Sequence, residues 1–513
     1  MLLSFATTFL LAAAQATPPR VHNRVIATYQ GSYVEIHGRE FGLGGAGSRL
    51  LVRSGSAQFS IPSTGALITS WEDQKIVLQL PPDAPSGELM VETPLGRSKL
   101  VTVHVYEYQT YDIPETVGTN GAPLSIAVDD QHRVWINQEF HKAFHMLDPA
   151  VGVVEQFMIP VFDSPGPFAI TLFGDAQTTT SVLGEDVLVD PYGRVWFTQG
   201  GQSLYGGVHG NHSRVVCVIP DAPGGPEFRA YNVPGRSNEV VGLAWDPVRE
   251  WIWFTQASFV EGAALVGFDP EVIPYDNFFD FQSSLDHLAA YPGDPQDPVF
   301  HFYMLPNANG WPAHMRFTAD GKLWYTNFWG SSIGRLDPIT GDVNQYPVPK
   351  GIAQNRTGRI VGPGPWEMLV DPHGDIWFNE FFDSTITRFD ASRADDPATW
   401  QLDANGRNPG MSDWVVPAHD RVDDRIHSIE WGPDGKLWYS IHVPKDSPKP
   451  GGALGFITPD FQFMTRFPPL DLVPGDGMPG ADGIVVDPVT GDIWVCEFFR
   501  DRIGRLREVP QLP

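Results

Sequence analysis

The chain has 513 residues, and its acidic side chains outnumber the basic ones, giving a formal net charge of −27 at pH 7. Nucleic acids and anionic membrane surfaces are bound through basic patches, so this charge argues against both as partners. The two cysteines, Cys217 and Cys496, are too few for a disulfide scaffold.

The first residues, MLLSFATTFLLAAAQA, form an apolar run that is too short to span a bilayer and ends in Ala14-Gln15-Ala16. Small residues in this pattern are typical of a cleavage site, so residues 1–16 are predicted to be a signal peptide. The alternative is that the run forms a buried first strand. No later segment is long and apolar enough for a membrane helix, so we expect a secreted protein, extracellular or periplasmic, without membrane insertion.

Residues 17–105 alternate apolar and polar side chains in short strands such as SYVEIHG and KIVLQLP, separated by turns rich in Gly, Pro and Ser. This pattern predicts a small immunoglobulin-like β-sandwich. The run GSYVEIHGREFG, followed by TSWEDQKIVLQLPPDAPSGELMVETPLGRS, resembles an IPT/TIG domain. The resemblance implies a module that positions or binds, and a plain spacer role stays open.

From residue 106 onward the chain repeats one unit, which is clearest in Met315–Pro338. Ala319-Asp320-Gly321 is predicted to be the tight turn of a hairpin between strands at 315–318 and 323–327, because Asp-Gly between alternating apolar runs favours such turns. Further strands are predicted at 333–336 and 343–349. One such unit is a four-stranded sheet with two apolar faces, and it cannot bury both alone.

The tryptophan of this unit recurs at intervals of 53 to 71 residues, close to one blade of a β-propeller each. The recurrences predict an all-β seven-bladed propeller over residues 106–513. An outer strand at 108–114 precedes the first tryptophan and the last unit lacks one, so we expect 108–114 to close the last blade. The repeated residues are Trp135, Trp196, Trp253, Trp324, Trp377, Trp438 and Trp494.

Hairpin geometry places the residue that enters the first strand of each blade beside the residue that leaves the second strand, at one mouth of the channel. Counting outward from each turn gives the expected pairs. In blade order they are Leu124 with Glu139, Glu185 with Gln199, Val241 with Gln256, His314 with Asn327, Glu367 with Glu380, His427 with His442, and Asp482 with Glu497.

The last four pairs contain imidazoles and carboxylates, which could hold a divalent cation or act as an acid and a base. The alternative is that these residues are simply solvated in a water-filled channel. The repeated tryptophans are expected in the blade cores rather than at a ligand. Two long insertions, at 161–184 and 270–298, could roof the channel mouth or be surface elaboration.

The motifs WYTNFWGSSIGRLDP and WFNEFFDSTITRF, ahead of outer strands ending in Tyr-Pro-Val-Pro, resemble the streptogramin lyases, the virginiamycin B lyase family. The resemblance covers about residues 106–513. It implies a Mg²⁺-dependent carbon–oxygen lyase that opens a cyclic ester by proton abstraction and elimination.

The run Arg425-Ile426-His427-Ser428-Ile429 matches the family's histidine motif, which makes His427 the implied general base. Arg425 stands where the family has an acid, and His442 where it has a glutamate. Glu367 replaces a second family histidine, and His314 is displaced by one position from the motif. The resemblance implies catalysis by His427, His442 and Glu380, and a metal held by Glu380, Glu497, Asp482, Glu367 and His314.

Three functions follow as hypotheses. The first is a secreted, divalent-metal-dependent lyase that acts on a bulky cyclic ester or a polysaccharide-like substrate. The second is a non-catalytic ligand-binding propeller, and the third a lactonase-like hydrolase that uses the same metal. In each case the partner is a small molecule or a glycan, and the protein is expected to be a monomer.

Overall fold

The computed structural model describes residues 17–114, 121–138, 143–158, 184–199, 213–233, 239–257, 262–272, 290, 297–306, 310–349, 362–416, 424–442, 452–468 and 480–513. The chain forms two compact units. In the described ranges, the first unit contains 17–107 together with 508–513, and the second contains 108–507. The predicted signal peptide, Glu139 and most of both insertions lie outside the described residues.

The first unit consists of β-strands in two sheets. One sheet has the order β1-β3-β7-β6; the other contains β5, β4, β8 and the start of β10, with β2 parallel to β10 and β9 beside β8. Alternate side chains such as Val34, Ile36 and Val91 are buried and form its core. Its immunoglobulin-like class stays a prediction. The strands are β1 (Arg20–Val21), β2 (Val25–Tyr29), β3 (Tyr33–Arg39), β4 (Arg49–Ser54), β5 (Ala57–Pro62), β6 (Ile68–Trp71), β7 (Lys75–Gln79), β8 (Gly87–Thr93), β9 (Gly96–Arg97) and β10 (Val101–Asp112).

The second unit contains seven antiparallel sheets within the described ranges, which we number as blades 1 to 7 in chain order. Blades 1 to 3 consist of β11 (Pro123–Val128), β12 (Val134–Gln138), β13 (Ala143–Asp148) and β14 (Val153–Met158); β15 (Val187–Val189), β16 (Val195–Gln199), β17 (Arg214–Ile219) and β18 (Glu227–Asn232); and β19 (Glu239–Trp245), β20 (Ile252–Ala257), β21 (Ala264–Phe268) and β22 (Phe300–Met304).

Blades 4 to 7 continue the same pattern. Their strands are β23 (Pro312–Phe317), β24 (Leu323–Asn327), β25 (Ser332–Leu336) and β26 (Val343–Pro347); β27 (Pro365–Val370), β28 (Ile376–Glu380), β29 (Thr385–Phe389) and β30 (Met411–Val415); β31 (Arg425–Trp431), β32 (Leu437–His442) and β33 (Ala453–Ile457); and β34 (Ala481–Val486), β35 (Ile493–Glu497) and β36 (Arg502–Glu508). Two short 3₁₀ helices, Ala391–Arg393 and Pro397–Trp400, lie between β29 and β30.

The predicted closure of the ring is confirmed. Strand β10 lies beside β36 as the outermost strand of blade 7. Its Tyr111 ring packs 5.8 Å from the ring of Trp494, and the N–H of Ile113 donates to the carbonyl of Asp501 at 2.8 Å. The all-β propeller prediction is therefore confirmed. In the part of the chain that the structure describes, no helix is long and apolar enough to cross a membrane.

The repeated tryptophans lie in the blade cores, as predicted, and all seven are fully buried. Three of them donate an indole N–H to an aspartate that precedes the hairpin turn; in blade 5, for example, Trp377 donates to Asp371 at 3.0 Å. This bond satisfies a polar atom that burial would otherwise leave unpaired. It also joins the two ends of the hairpin turn.

The hairpin register corrects the predicted pairs. In six blades the first strand contains a bulge of one or two residues close to its start. Counting residues outward from the turn therefore gives the wrong pairs beyond the bulge, at the channel mouth. The observed pairs are Val240 with Gln256, Pro312 with Asn327, Pro365 with Glu380, Arg425 with His442, and Ala481 with Glu497. The residues predicted to pair there, His314, Glu367, His427 and Asp482, instead lie within the bulges.

In six blades a hydroxyl or amide side chain stands two positions after the tryptophan, and in five of them it bonds to the next blade among the described residues. In blade 4, Thr326 Oγ1 accepts the N–H of His314 at 3.0 Å and donates to the carbonyl of Trp366 in blade 5. Thr198 instead accepts the N–H of Asp186 within blade 2. We call the residues at this position the polar belt: Asn137, Thr198, Thr255, Thr326, Asn379 and Ser440. In blade 7 the same position is occupied by Cys496, which is buried. The belt holds the bulges in fixed positions around the channel.

Candidate active site at the channel

The inner strands surround a cavity of about 180 Å³. Residues from six blades line it, and the bulges of blades 4 to 6 point polar side chains into it. In blades 3 and 7 the corresponding bulge residues are Gly242 and Gly483, where a Cβ would come within 2.2 Å and 2.4 Å of a neighbouring backbone carbonyl oxygen. The polar lining residues are Ser125, Glu185, Asp186, His314, Arg316, Glu367, His427, Ser428 and Glu430.

His442 and Asp482 form a hydrogen-bonded pair between blades 6 and 7. His442 Nδ1 lies 2.6 Å from Asp482 Oδ1, and Asp482 is 1 % exposed. A carboxylate accepts hydrogen bonds, so the proton of a neutral His442 ring is on Nδ1 and the lone pair on Nε2. The rings of Phe498 and Phe499 lie 5.7 Å and 5.5 Å from the imidazole. The pair therefore presents an oriented base in an apolar surrounding.

His427 lies beside this pair and also lines the channel cavity. Its ring centroid is 6.2 Å from that of His442, 5.8 Å from Trp366 and 5.9 Å from Phe381. Its Nδ1 is buried and has no hydrogen-bond partner among the described residues. Burial lowers the pKa of His427, and Asp482 offsets only part of that effect. His427 is therefore a neutral imidazole at neutral pH. We call His427, His442 and Asp482 the histidine cluster.

Arg425 lies next to the histidine cluster. It faces His442 in the hairpin register, and its guanidinium carbon lies 5.4 Å from the ring centroid of Phe381 and 5.7 Å from that of Phe382. Stacking on aromatic rings restrains a guanidinium through its flat face, whereas the N–H groups that donate hydrogen bonds lie at its edge.

Also in the channel lining, carboxyl groups of blades 2 and 5 interact with Arg316. Its guanidinium lies 3.6 Å from Glu367 Oε1, and His314 Nδ1 lies 3.7 Å from Asp186 Oδ2. Burial raises the pKa of Glu367 to about 8 and of Asp186 to about 6, although Arg316 lowers both. Burial also lowers the pKa of His314 well below its ordinary range. The channel interior therefore favours neutral side chains.

Glu380 and Glu497, two of the predicted metal ligands, make their hydrogen bonds within their own blades. Glu380 accepts from Thr387 Oγ1 at 2.7 Å, and burial raises its pKa well above the ordinary range. Glu497 accepts from Tyr108 Oη at 2.5 Å and from Arg502 at 3.0 Å. The structure thus brings His427, His442 and Asp482 together, and His314 with Glu367 into the cavity, but holds these two glutamates in other networks.

The predicted metal ligands are mostly engaged with other partners. Of the five predicted ligands, Asp482 is bonded to His442, Glu367 faces Arg316, and Glu380 and Glu497 are engaged in their blades. Among the described residues, no three His, Cys, Asp or Glu side chains form a group that could hold a metal ion. The described residues therefore do not fit a divalent metal, and the presence of a metal stays a prediction.

Sequence reasoning did not single out Asp186, Arg316 or Glu430, although all three line the cavity. Arg316 and Glu430 lie further along β23 and β31, past the bulges, where the inward face of the strand continues. Their signal was a charged side chain within an otherwise apolar first strand. Arg425 was noted only as a departure from the family motif.

Comparisons with known proteins show the fold. One similar solved structure, virginiamycin B lyase from Staphylococcus aureus, superposes with a TM-score of 0.51 at 17% identity, over 80% of this chain and 100% of that one. A streptogramin B lyase gives a TM-score of 0.52 at 18% identity, over 79% and 98%. A catalytically inactive histidine-to-alanine virginiamycin B lyase with quinupristin gives 0.51 at 17%, over 80% and 100%. No family model and no curated protein sequence matches the chain.

Proposed function

We propose that this chain is a carbon–oxygen lyase of streptogramin lyase type, which cleaves a bulky cyclic ester or polysaccharide-like substrate by elimination. The observation that carries the proposal is the His442–Asp482 hydrogen bond of 2.6 Å beside the neutral His427, which itself lines the channel cavity. The solved lyases share this fold, and one of them is a histidine-to-alanine variant that is catalytically inactive.

The proposed chemistry uses the chain's own groups. His442 Nε2 takes a proton from the carbon next to a carbonyl, and the buried carboxylate of Asp482 stabilises the imidazolium that forms. The C–H electron pair becomes a C=C bond. The ester C–O bond breaks, and its electron pair leaves on the oxygen as a carboxylate. The neutral His427 can donate an N–H to the carbonyl oxygen while negative charge develops there.

The proposed base is His442 and not His427, which differs from the role that the sequence predicted. The sequence-based interpretation took His427 as the base, but Asp482 orients His442 instead, and burial disfavours a positive charge on His427. Secretion and a monomeric state remain part of the proposal as expectations from the sequence, whereas the predicted divalent metal is left to the chelation experiment. No step of the proposed chemistry uses a metal ion, because the described donor side chains do not form a metal site.

The test uses a panel of cyclic depsipeptides, lactones and uronic-acid polysaccharides, with products analysed by mass spectrometry and ultraviolet absorbance. A lyase gives an opened product of unchanged mass with a new conjugated double bond. A lactonase-like hydrolase would add water without that absorbance, and a binding propeller would leave every substrate intact. Either of these results with a substrate that binds would overturn the proposal.

A further inference from the structure

Elimination from an ester needs positive charge at the departing oxygen. As the C–O bond breaks, one negative charge moves onto the leaving carboxylate, and an apolar site makes that charge costly. His442 and His427 act on the proton and on the carbonyl, so neither meets this need.

Arg425 is placed to meet it. It lies opposite His442 in the hairpin register, and its guanidinium stacks on Phe381 and Phe382. Phe381 also contacts the ring of His427, at 5.9 Å between centroids. One aromatic side chain thus connects the guanidinium to the histidine cluster.

We propose that Arg425 binds the carboxylate that leaves when the ester C–O bond breaks, and that it is a catalytic residue of this site. A planar guanidinium with several N–H donors matches a carboxylate in two-point geometry, and aromatic stacking fixes its plane. This proposal rests on the proposed lyase function. It also makes esters of carboxylic acids, rather than glycosidic ethers, the preferred substrate class, since only the former release a carboxylate.

The experiment compares Arg425→Gln and Arg425→Lys with the wild type on esters whose leaving acids differ in strength. We expect Arg425→Gln to lower kcat by about 10²-fold for the weakest leaving acids and much less for the strongest. Arg425→Lys should recover part of the loss, because charge remains but two-point binding does not. Added guanidinium ions should partly restore kcat in Arg425→Gln.

Arg335→Gln is the matched control. Arg335 also stacks on an aromatic ring, 5.8 Å from the centroid of Trp324, but it pairs with Asp395 away from the histidine cluster. The Arg335→Gln variant should therefore keep the kcat of the wild type. An equal loss in Arg425→Gln for every leaving acid, with no response to guanidinium, would show that Arg425 only supports Phe381 and would overturn the proposal. Failure of the lyase function itself is recognised separately, because then the wild type forms no unsaturated product.

Discussion

Asp482 in blade 7 is bonded to β32 of blade 6 through both its side chain and its backbone. Its Oδ1 lies 2.6 Å from His442 Nδ1. Its backbone carbonyl accepts a hydrogen bond from the Oγ of Ser440, which precedes His442 by two residues on β32. A side chain that is held at both ends keeps the imidazole in one tautomer and one orientation. The position of the proposed base is therefore set by blade-to-blade bonding.

Replacing Asp482 by asparagine should lower kcat by at least about 10²-fold while leaving KM nearly unchanged. The amide can donate to His442 Nδ1, which would place the ring proton on Nε2 and remove the basic lone pair. Steady-state kinetics and a melting curve check this. The control is His132→Asn, because His132 forms a similar pair with Asp487 at 2.9 Å, near the hairpin turns. Loss of activity in both variants would contradict a specific role for Asp482.

The polar belt should matter for stability. Thr326→Val removes a hydroxyl that bonds the His314 N–H and the Trp366 carbonyl, so we expect a loss of about 1–3 kcal/mol in the free energy of unfolding. Denaturant titration measures it. Cys496→Val is the matched control at the equivalent position of blade 7, where the buried side chain is a thiol, a weaker hydrogen-bonding group than a hydroxyl. Equal effects of the two substitutions would show that packing, not hydrogen bonding, holds the belt.

Much of the fold could be predicted from the sequence because the tryptophan and the outer strand recur in order. The site was predicted only in part. Which residues share the channel depends on the bulges, and a bulge near a strand start changes neither the turn nor the tryptophan spacing. His427 and Asp482 were thus found as chemical groups, but their partners were displaced by one or two residues. Glu380 bonds to Thr387 within its own blade. The alternation of side chains along a strand could not show that the Glu380 carboxylate lies inside the blade rather than at the channel.

The pH dependence of stability should report Asp186. Burial raises its pKa from 3.8 to about 6, which Arg316 and two backbone N–H groups only partly offset. Because the folded state holds this proton more tightly, the stability it contributes is complete below about pH 3.8 and is lost as pH rises through about 6. The expected loss is at most ~3 kcal/mol.

Asp186→Asn should reduce that slope, since an amide does not titrate, while Glu185 and Glu367, whose pKa values burial also raises, still contribute to it. Unfolding free energies of both proteins at several values between pH 4 and pH 7 decide the matter. If the two curves stay parallel across this window, the carboxyl group of Asp186 is not buried with a raised pKa.

Chelation tests the predicted metal. We expect activity to stay within about twofold after dialysis against EDTA, because the described donors form no metal site and Arg425 can supply positive charge. Metal analysis of the same samples is the companion measurement. Activity that disappears with the metal and returns with Mg²⁺ would restore the metal-dependent mechanism and require donors outside the described ranges.

His427 and His442 can be separated by their pH profiles. If His442 is the base, His442→Ala should lose most activity together with the acidic limb of the kcat profile, because that limb reports protonation of the base. His427→Ala should lower kcat by about 10²-fold through loss of a donor to the carbonyl oxygen, yet keep the limb. His427→Gln, which retains an N–H donor, should be less impaired than His427→Ala. A limb that disappears in His427→Ala and persists in His442→Ala would return the role of base to His427.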